Sequence, residues 1–415
     1  MNIGLAKNNN FDNLIWFTTF VFLISFSLIF NPFYVLILCA LIEQIKRQPK
    51  ILFWIVTSSI VMSITNREIG GGWGSIETGL ANDDALIYLD SYIALKTNSY
   101  IGNPAEYLYK FLNGQEPVWY LLMEFIGLAT NFNQDIMLFI SVAVPVFIIH
   151  FVIYRSFRYP LFAVLVFYFI STEMIHTFYH LWRFSLALSL AILVIMLWKS
   201  HQSRFQRIGC YILPIIGHIT MLTIMLLLFI SNFLTPKQQH KTLGLFRKLK
   251  LLCAFIFSMV VLSLLVWVLL INFEFTKVLY YFGSTSFEPW GGLNPRFILQ
   301  LSICIFLMII TTKPLVYVFA LSTACLLLLP AIIDIPFIVI RLTVIFTPFI
   351  SLFYCLEIEN KKSLVYLSII CGSLIFLRLA LNSGDLGHYQ YMSGGEFSSV
   401  HAGLIYNLLG VLGFE

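Results

Sequence analysis

The stretch PLFAVLVFYFISTEMIHTFYHLWRFSLALSLAILVIML, residues 160–197, decides the fold. Two apolar runs, 160–178 and 184–198, are each close to the length at which a helix crosses hydrocarbon. The acidic, basic and imidazole side chains of this stretch are Glu173, His176, His180 and Arg183, gathered where the runs meet. Comparable runs separated by short polar clusters recur along all 415 residues. Hydrophobic residues make up 59% and charged residues 11%, where a soluble domain carries about 25% charged. The chain therefore reads as an all-α, polytopic integral membrane protein, a single transmembrane domain over 1–415 whose immediate partner is the lipid bilayer. A β-barrel is excluded, because its strands would alternate apolar with polar at period two. The net charge of +5 is small and spread over loops, which argues against a nucleic-acid partner.

Charge distribution gives the topology. Lys46/Arg47/Lys50, Arg155/Arg158, Lys199/Arg204/Arg207, Lys237/Lys241/Arg247/Lys248/Lys250, Lys313 and Lys361/Lys362 hold sixteen of the 25 basic residues. Only Glu43, Glu357 and Glu359 among the 20 acids lie with them. Placing these clusters in the cytoplasm satisfies the positive-inside rule. About twelve spans follow: 14–42 (kinked at Asn31-Pro32, or a short hairpin), 51–65, 136–154, 160–178, 184–198, 208–217, 219–234, 251–271, 296–312, 315–333, 341–356 and 363–380. The first is expected to be retained, since no small-residue cleavage site follows Phe30. Segment 208–217 is short enough to need tilt or local thinning. The run 118–130 carries Glu124 and reads as an interfacial or re-entrant helix within an external loop over 66–135. Residues 382–415 read as an external tail. The seven cysteines lie in or at the ends of apolar segments without ligand spacing, so neither a disulfide framework nor a zinc site is expected.

The polar groups of the external side are the candidates for chemistry. Glu173, His176, His180 and Arg183 fall within a wedge of roughly 80° if 173–183 is one helix. That suggests a polar cavity, or else a solvated helix end. His218 follows Pro214 and Gly217 and breaks an apolar run, leaving backbone groups that protein or water must satisfy. Otherwise it is a buried imidazole bonded to a carbonyl. Arg183, Arg296, Arg341 and, at a span end, Arg378 lie on the side that positive-inside bias depletes. Arg183 and Arg341 each open an apolar run at headgroup depth, where a guanidinium fork matches phosphate oxygens; snorkelling accounts for Arg378. The loop also holds Asn82-Asp83-Asp84 and Glu116-Pro117. These carboxylates, or His176, His180 or His218, are candidates for a general base. Trp73, Tyr88 and Tyr92, with Asp83, are candidates to hold sugar, although tyrosines are also common at interfaces.

Four marks occur in order: Asp84-x-x-x-Tyr88 after the second span, Glu116-Pro117-x-x-Tyr120, Arg183-Phe-Ser-Leu-Ala187 opening a span, and Gly217-His218 between half-helices. Over about 33–380 this pattern resembles the EpsG family of exopolysaccharide proteins, which is similar to the Wzy-type polymerases of O-antigen and capsule. One departure is Phe184, where the family's usual Arg-Gln pair has its amide.

The resemblance implies a metal-independent glycosyltransferase of the bacterial inner membrane, acting on the outer face. It joins oligosaccharide repeat units carried on undecaprenyl pyrophosphate, needs no cofactor, and has a Wzz-type chain-length regulator as a possible partner. Asp84, Glu116, His176, His180 and His218 would then supply catalysis, and Arg183, Arg341 and Arg296 would bind pyrophosphate. Two alternatives stay open: a C-type glycosyltransferase using a polyprenyl-phosphate sugar with Asp83-Asp84 on a divalent cation, and a lipid-linked saccharide flippase. A flippase would carry ionisable residues at mid-bilayer depth and paired broken helices, whereas the polar groups here gather on one face. The topology makes a direct prediction. In intact cells, a membrane-impermeant thiol reagent should label cysteines introduced near 75–110 and spare one introduced near 240; labelling at 240 overturns the assignment.

Overall fold

The computed structural model describes residues 32–45, 50–65, 84–97, 117–171, 173–197, 212–218, 221–222, 224–225, 248, 295–328 and 336–381. Among these residues every regular element is a helix: α1 (Pro32–Ile45), α2 (Lys50–Thr65), α3 (Asp84–Thr97), α4 (Pro117–Thr130), α5 (Gln134–Ser156), α6 (Pro160–Ile170), α7 (Glu173–His180), α8 (Trp182–Leu197), α9 (Pro295–Ile310), α10 (Pro314–Leu328), α11 (Pro336–Ile358) and α12 (Lys362–Leu381). The expected all-α class is observed. Among the described residues one helix, α5, is long and apolar enough to cross a membrane by itself, and nine further apolar helical stretches run to 10–17 residues. Span 251–271, most of 14–42 and 219–234, residues 208–211, the tail 382–415, Cys210 and Cys253 lie outside the described residues.

Helix α6 is the hub. Its sequence PLFAVLVFYFI has no polar face, and Leu161 through Ile170 are all buried, as expected of a helix apolar all round. Helices α1, α5, α9, α11 and α12 surround it. Gly372 of α12 approaches so closely that a β-carbon there would lie 3.0 Å from the Phe169 ring.

Within these surroundings Phe162 and Ile170, near the two ends of α6, are buried and their backbone groups find partners on neighbouring helices. At its N-terminus Tyr159 offers no side-chain cap. The Phe162 amide instead donates to Glu43 Oε2 of α1 at 2.9 Å, and Glu43 is only 5% exposed. At its C-terminus the Ile170 carbonyl accepts from Gln300 Nε2 of α9 at 3.2 Å. Midway, His150 of α5 bridges Thr57 Oγ1 at Nδ1 (2.9 Å) and Tyr168 Oη at Nε2 (3.1 Å). This chain of side-chain contacts fixes α2, α5 and α6 in register.

The bundle has one basic end. Arg158 N donates to Glu359 Oε2 at 3.2 Å, Lys313 pairs with Glu357 at 3.5 Å, and Lys248 Nζ donates to the terminal carbonyls of α9, Met308 and Ile309, at 2.7 and 2.8 Å. Clusters far apart in the chain thus meet on one level with Glu43. The outer surface is apolar: Leu38 and Leu41 on α1, Ile298, Ile305 and Ile309 on α9, and Leu367, Ile370 and Leu374 on α12 are exposed. Exposed apolar side chains on several helices suit lipid.

The run 160–178 is not one helix. It ends at Ile170, and Ser171 both closes α6, donating to Phe167 O, and opens the next element, accepting from Met174 N. Polar Ser171, with the Gln300 amide on the neighbouring Ile170 carbonyl, favours a break there over a continued apolar helix.

The caps carry a prediction. Glu43→Ala should lower the thermal midpoint of the detergent-solubilised protein through a loss of about 1–3 kcal/mol, the cost of an orphaned buried donor. Glu43→Gln keeps an acceptor oxygen and should lose less. Equal midpoints for all three proteins would remove the cap from the stability of α6.

Candidate functional site

The end opposite the basic one collects the candidates. Helix α7 carries Glu173, His176 and His180, and Arg183 stands in the first turn of α8. The single wedge expected of 173–183 is therefore divided. Leu181 separates the two helices, donating to Thr177 O and accepting from Ser185 N. Leu181 has no side-chain oxygen with which to cap α8, and the positive end of that helix dipole lies at Arg183.

Arg183 is half-buried, and its guanidinium carbon lies 4.8 Å from the centroid of the Tyr88 ring. Tyr88 is in turn packed 5.8 Å from Trp119 of α4 and 5.5 Å from Trp182 of α8, and the two indoles are 6.2 Å apart. All three rings are almost fully buried. Three elements, α3, α4 and α8, are thereby joined by aromatic contact around one cation.

Helix α3 begins at Asp84, one turn before Tyr88, so the two positions share a helix face. Further along, Ser91 Oγ donates to Tyr88 O and lies 3.9 Å from Met123 Sδ of α4. Tyr92 is enclosed, 5.2 Å from the Phe132 ring, and shares a hydrogen bond with Thr130 Oγ1 at 3.3 Å. Burial pushes its phenol pKa up, and the Thr130 bond partly offsets this.

Helix α4, the run with Glu124, has two apolar faces. Trp119, Tyr120, Met123, Ile126 and Gly127 are buried, while Leu121, Phe125 and Leu128 are exposed. Tyr120 Oη donates to Glu124 Oε1 at 3.1 Å. The chain turns into α5 through Asn131 and Phe132, both at positive φ, and Asn133 Oδ1 caps α5 by accepting from Ile136 N.

His218 ends a helical turn over residues 212–217, its amide donating to Pro214 O at 3.0 Å. Its ring stands edge-on to Phe184, 5.7 Å between centroids. Gly217 makes this approach possible, because a β-carbon there would lie 3.1 Å from Ala187 Cβ.

The structure thus brings Arg183 onto Tyr88, one turn from the start of α3, and His218 onto Phe184, the neighbour of Arg183 in the chain. It encloses the rings of Tyr88 and Tyr92 in packing, so neither is a free platform for sugar. Arg296 lies one turn beyond Gln300, at the same end as Ile170, and Arg341 lies in the second turn of α11. The side chains of Asp84, Glu173, His176, His180, Arg296, Arg341 and Arg378, and the whole of Trp73, Asp83 and Glu116, lie outside the described residues. Trp119 and Trp182 are the members of this cluster that sequence reasoning missed. Their signal was position, at the start of an apolar run and immediately before Arg183.

A helical scaffold with an apolar exterior, and a half-buried arginine set on enclosed aromatic rings at one end, has the architecture of a helical membrane protein. The family model of the EpsG family matches residues 79–393, and the chain belongs to that family, whose members are polymerase-like membrane proteins of polysaccharide biosynthesis. No curated protein and no solved structure matches the chain. The close contact at Gly217 predicts a graded response. Gly217→Ala should lower the thermal midpoint slightly and Gly217→Val further, by about 1–3 kcal/mol of overpacking. A Val variant melting with the wild type would mean that the 212–218 segment does not press on α8.

Proposed function

We propose that the protein polymerises oligosaccharide repeat units carried on undecaprenyl pyrophosphate, at the outer face of the bacterial inner membrane. About twelve spans hold the site, the basic clusters face the cytoplasm, and no metal or cofactor takes part. Supporting this reading is the half-buried Arg183 guanidinium on the Tyr88 face, at the helix end opposite the basic clusters. A cation there, at the N-terminus of α8, favours a phosphate group.

In this mechanism a hydroxyl of the incoming lipid-linked unit attacks the anomeric carbon of the growing chain. The new glycosidic bond forms as the bond to the lipid pyrophosphate breaks, and the pyrophosphate leaves with the electron pair. Arg183, with Arg341 and Arg296, stabilises the charge that grows on the leaving group. The hydroxyl proton passes to a base drawn from Asp84, Glu116, His176, His180 and His218. Asp83 and Trp73 contact sugar. The pyrophosphate linkage supplies the driving force, so no nucleotide is consumed. A chain-length regulator binds the same membrane assembly.

The test is complementation of a deletion strain, read as polymer yield and length on a gel at equal protein level. Deletion should abolish the polymer ladder and leave single repeat units. Arg183→Ala should reduce polymer formation roughly a hundredfold or more, equivalent to about 2–4 kcal/mol of transition-state stabilisation. Arg183→Lys keeps the charge but loses the planar fork and should fall between the two. Arg378→Ala should change little, and Asp84→Asn should lower turnover. Wild-type polymer from both Arg183→Ala and Arg341→Ala would make these arginines interfacial anchors.

A further inference from the structure

Trp119 is 1% exposed, and its indole Nε1–H is buried with no hydrogen-bond partner among the described residues. A buried donor left unpaired is costly, and buried tryptophans usually find a partner for this group. If the position required only an aromatic ring, Phe would fill it without that cost. The ring itself is well packed, against Tyr88 and Trp182. Tyr88 is also the ring on which the Arg183 guanidinium rests. The ring that carries this donor and the Arg183 cation therefore pack on one aromatic ring, with Trp119 in the first turn of a helix whose dipole favours negative charge.

We infer that Trp119 Nε1–H is a ligand-binding donor, completed by a phosphate oxygen held at the same time by Arg183. This rests on the pyrophosphate reading given above and adds a residue to it. The nitrogen is closed off from solvent in this structure, so a phosphate oxygen reaches it only when the packing around Trp119 opens. The Tyr88 ring belongs to α3, which packs on α4, α5 and α7 and has Tyr88 within its first two turns. The phosphate oxygen has two possible sources, a polyprenyl pyrophosphate or a phospholipid headgroup, and both present the same acceptor.

The experiment uses the full chain in a phosphate-free detergent, with Trp side chains labelled at the indole nitrogen. The Trp119 resonance is identified by its loss in Trp119→Phe. Geranylgeranyl pyrophosphate, phosphatidylglycerol and geranylgeraniol are the probes. The resonance should move on adding geranylgeranyl pyrophosphate and stay in place with the alcohol. Movement with phosphatidylglycerol alone would assign the headgroup as the source of the oxygen.

Trp119→Phe should bind the pyrophosphate probe about tenfold or more weakly while melting at or above the wild-type temperature. A resonance unmoved by both phosphate probes, or wild-type affinity in Trp119→Phe, overturns the inference. The two readings fail separately. If the deletion strain loses its ladder and Trp119→Phe binds normally, the polymerase reading stands and Trp119 is only packing. If Trp119→Phe binds weakly and the deletion strain keeps its ladder, the phosphate site stands without the polymerase.

Discussion

A buried helix with no polar side must borrow polar atoms for its end groups from elsewhere, and α6 does so at both ends. Glu43 accepts at its N-terminus and Gln300 donates at its C-terminus. Each buried backbone group left unsatisfied costs about 1–3 kcal/mol, so these two contacts help set where α1 and α9 lie. The His150 bridge then sets α2 and α5 against the same core. What holds this bundle in register is a handful of buried polar contacts in an otherwise interchangeable apolar mass.

The candidate site inherits its position from that frame. Because Gln300 meets the last turn of α6, the starts of α9 and α7 occupy one level. The start of α8 follows from the short α7, and Arg183 with it. The aromatic contacts of Tyr88, Trp119 and Trp182 then tie the two loop helices to α8. Basic residues collect at the other end, where Glu357 and Glu359 meet Lys313 and the backbone of Arg158. The bundle therefore has two chemically different ends, which is the charge asymmetry its loops display.

Much of this was legible in the sequence, since apolar length and charge clustering are local properties. Helices α2, α5, α8, α9 and α12 fall within a few residues of the expected runs, and the run with Glu124 is a separate short helix. The break after Ile170 was hidden, because it depends on an amide 130 residues away. The wedge of Glu173, His176, His180 and Arg183 presumed an unbroken helix, and Leu181 carries no turn signal. Arg183 stood out because cations are scarce on its side. Trp119 and Trp182 did not, since a tryptophan at the edge of an apolar run is what any interfacial segment offers. Only the meeting of positions 88, 119 and 182 distinguishes them. Tyr92 looked available in a polar loop, and its burial against Phe132 follows from a turn that the sequence does not announce.

The long reach of the contacts around α6 has a consequence for how the chain is made. Residue 43 is synthesised before its partner at 162, so the first end of α6 is satisfied as it emerges. The second end waits for residue 300. During that interval the Ile170 carbonyl and the flank that α9, α11 and α12 will cover have only lipid or the insertion machinery beside them. The half-built protein is therefore a distinct species, with the hub helix seated on one side only. Its maturation ends when the C-terminal helices arrive to close over it.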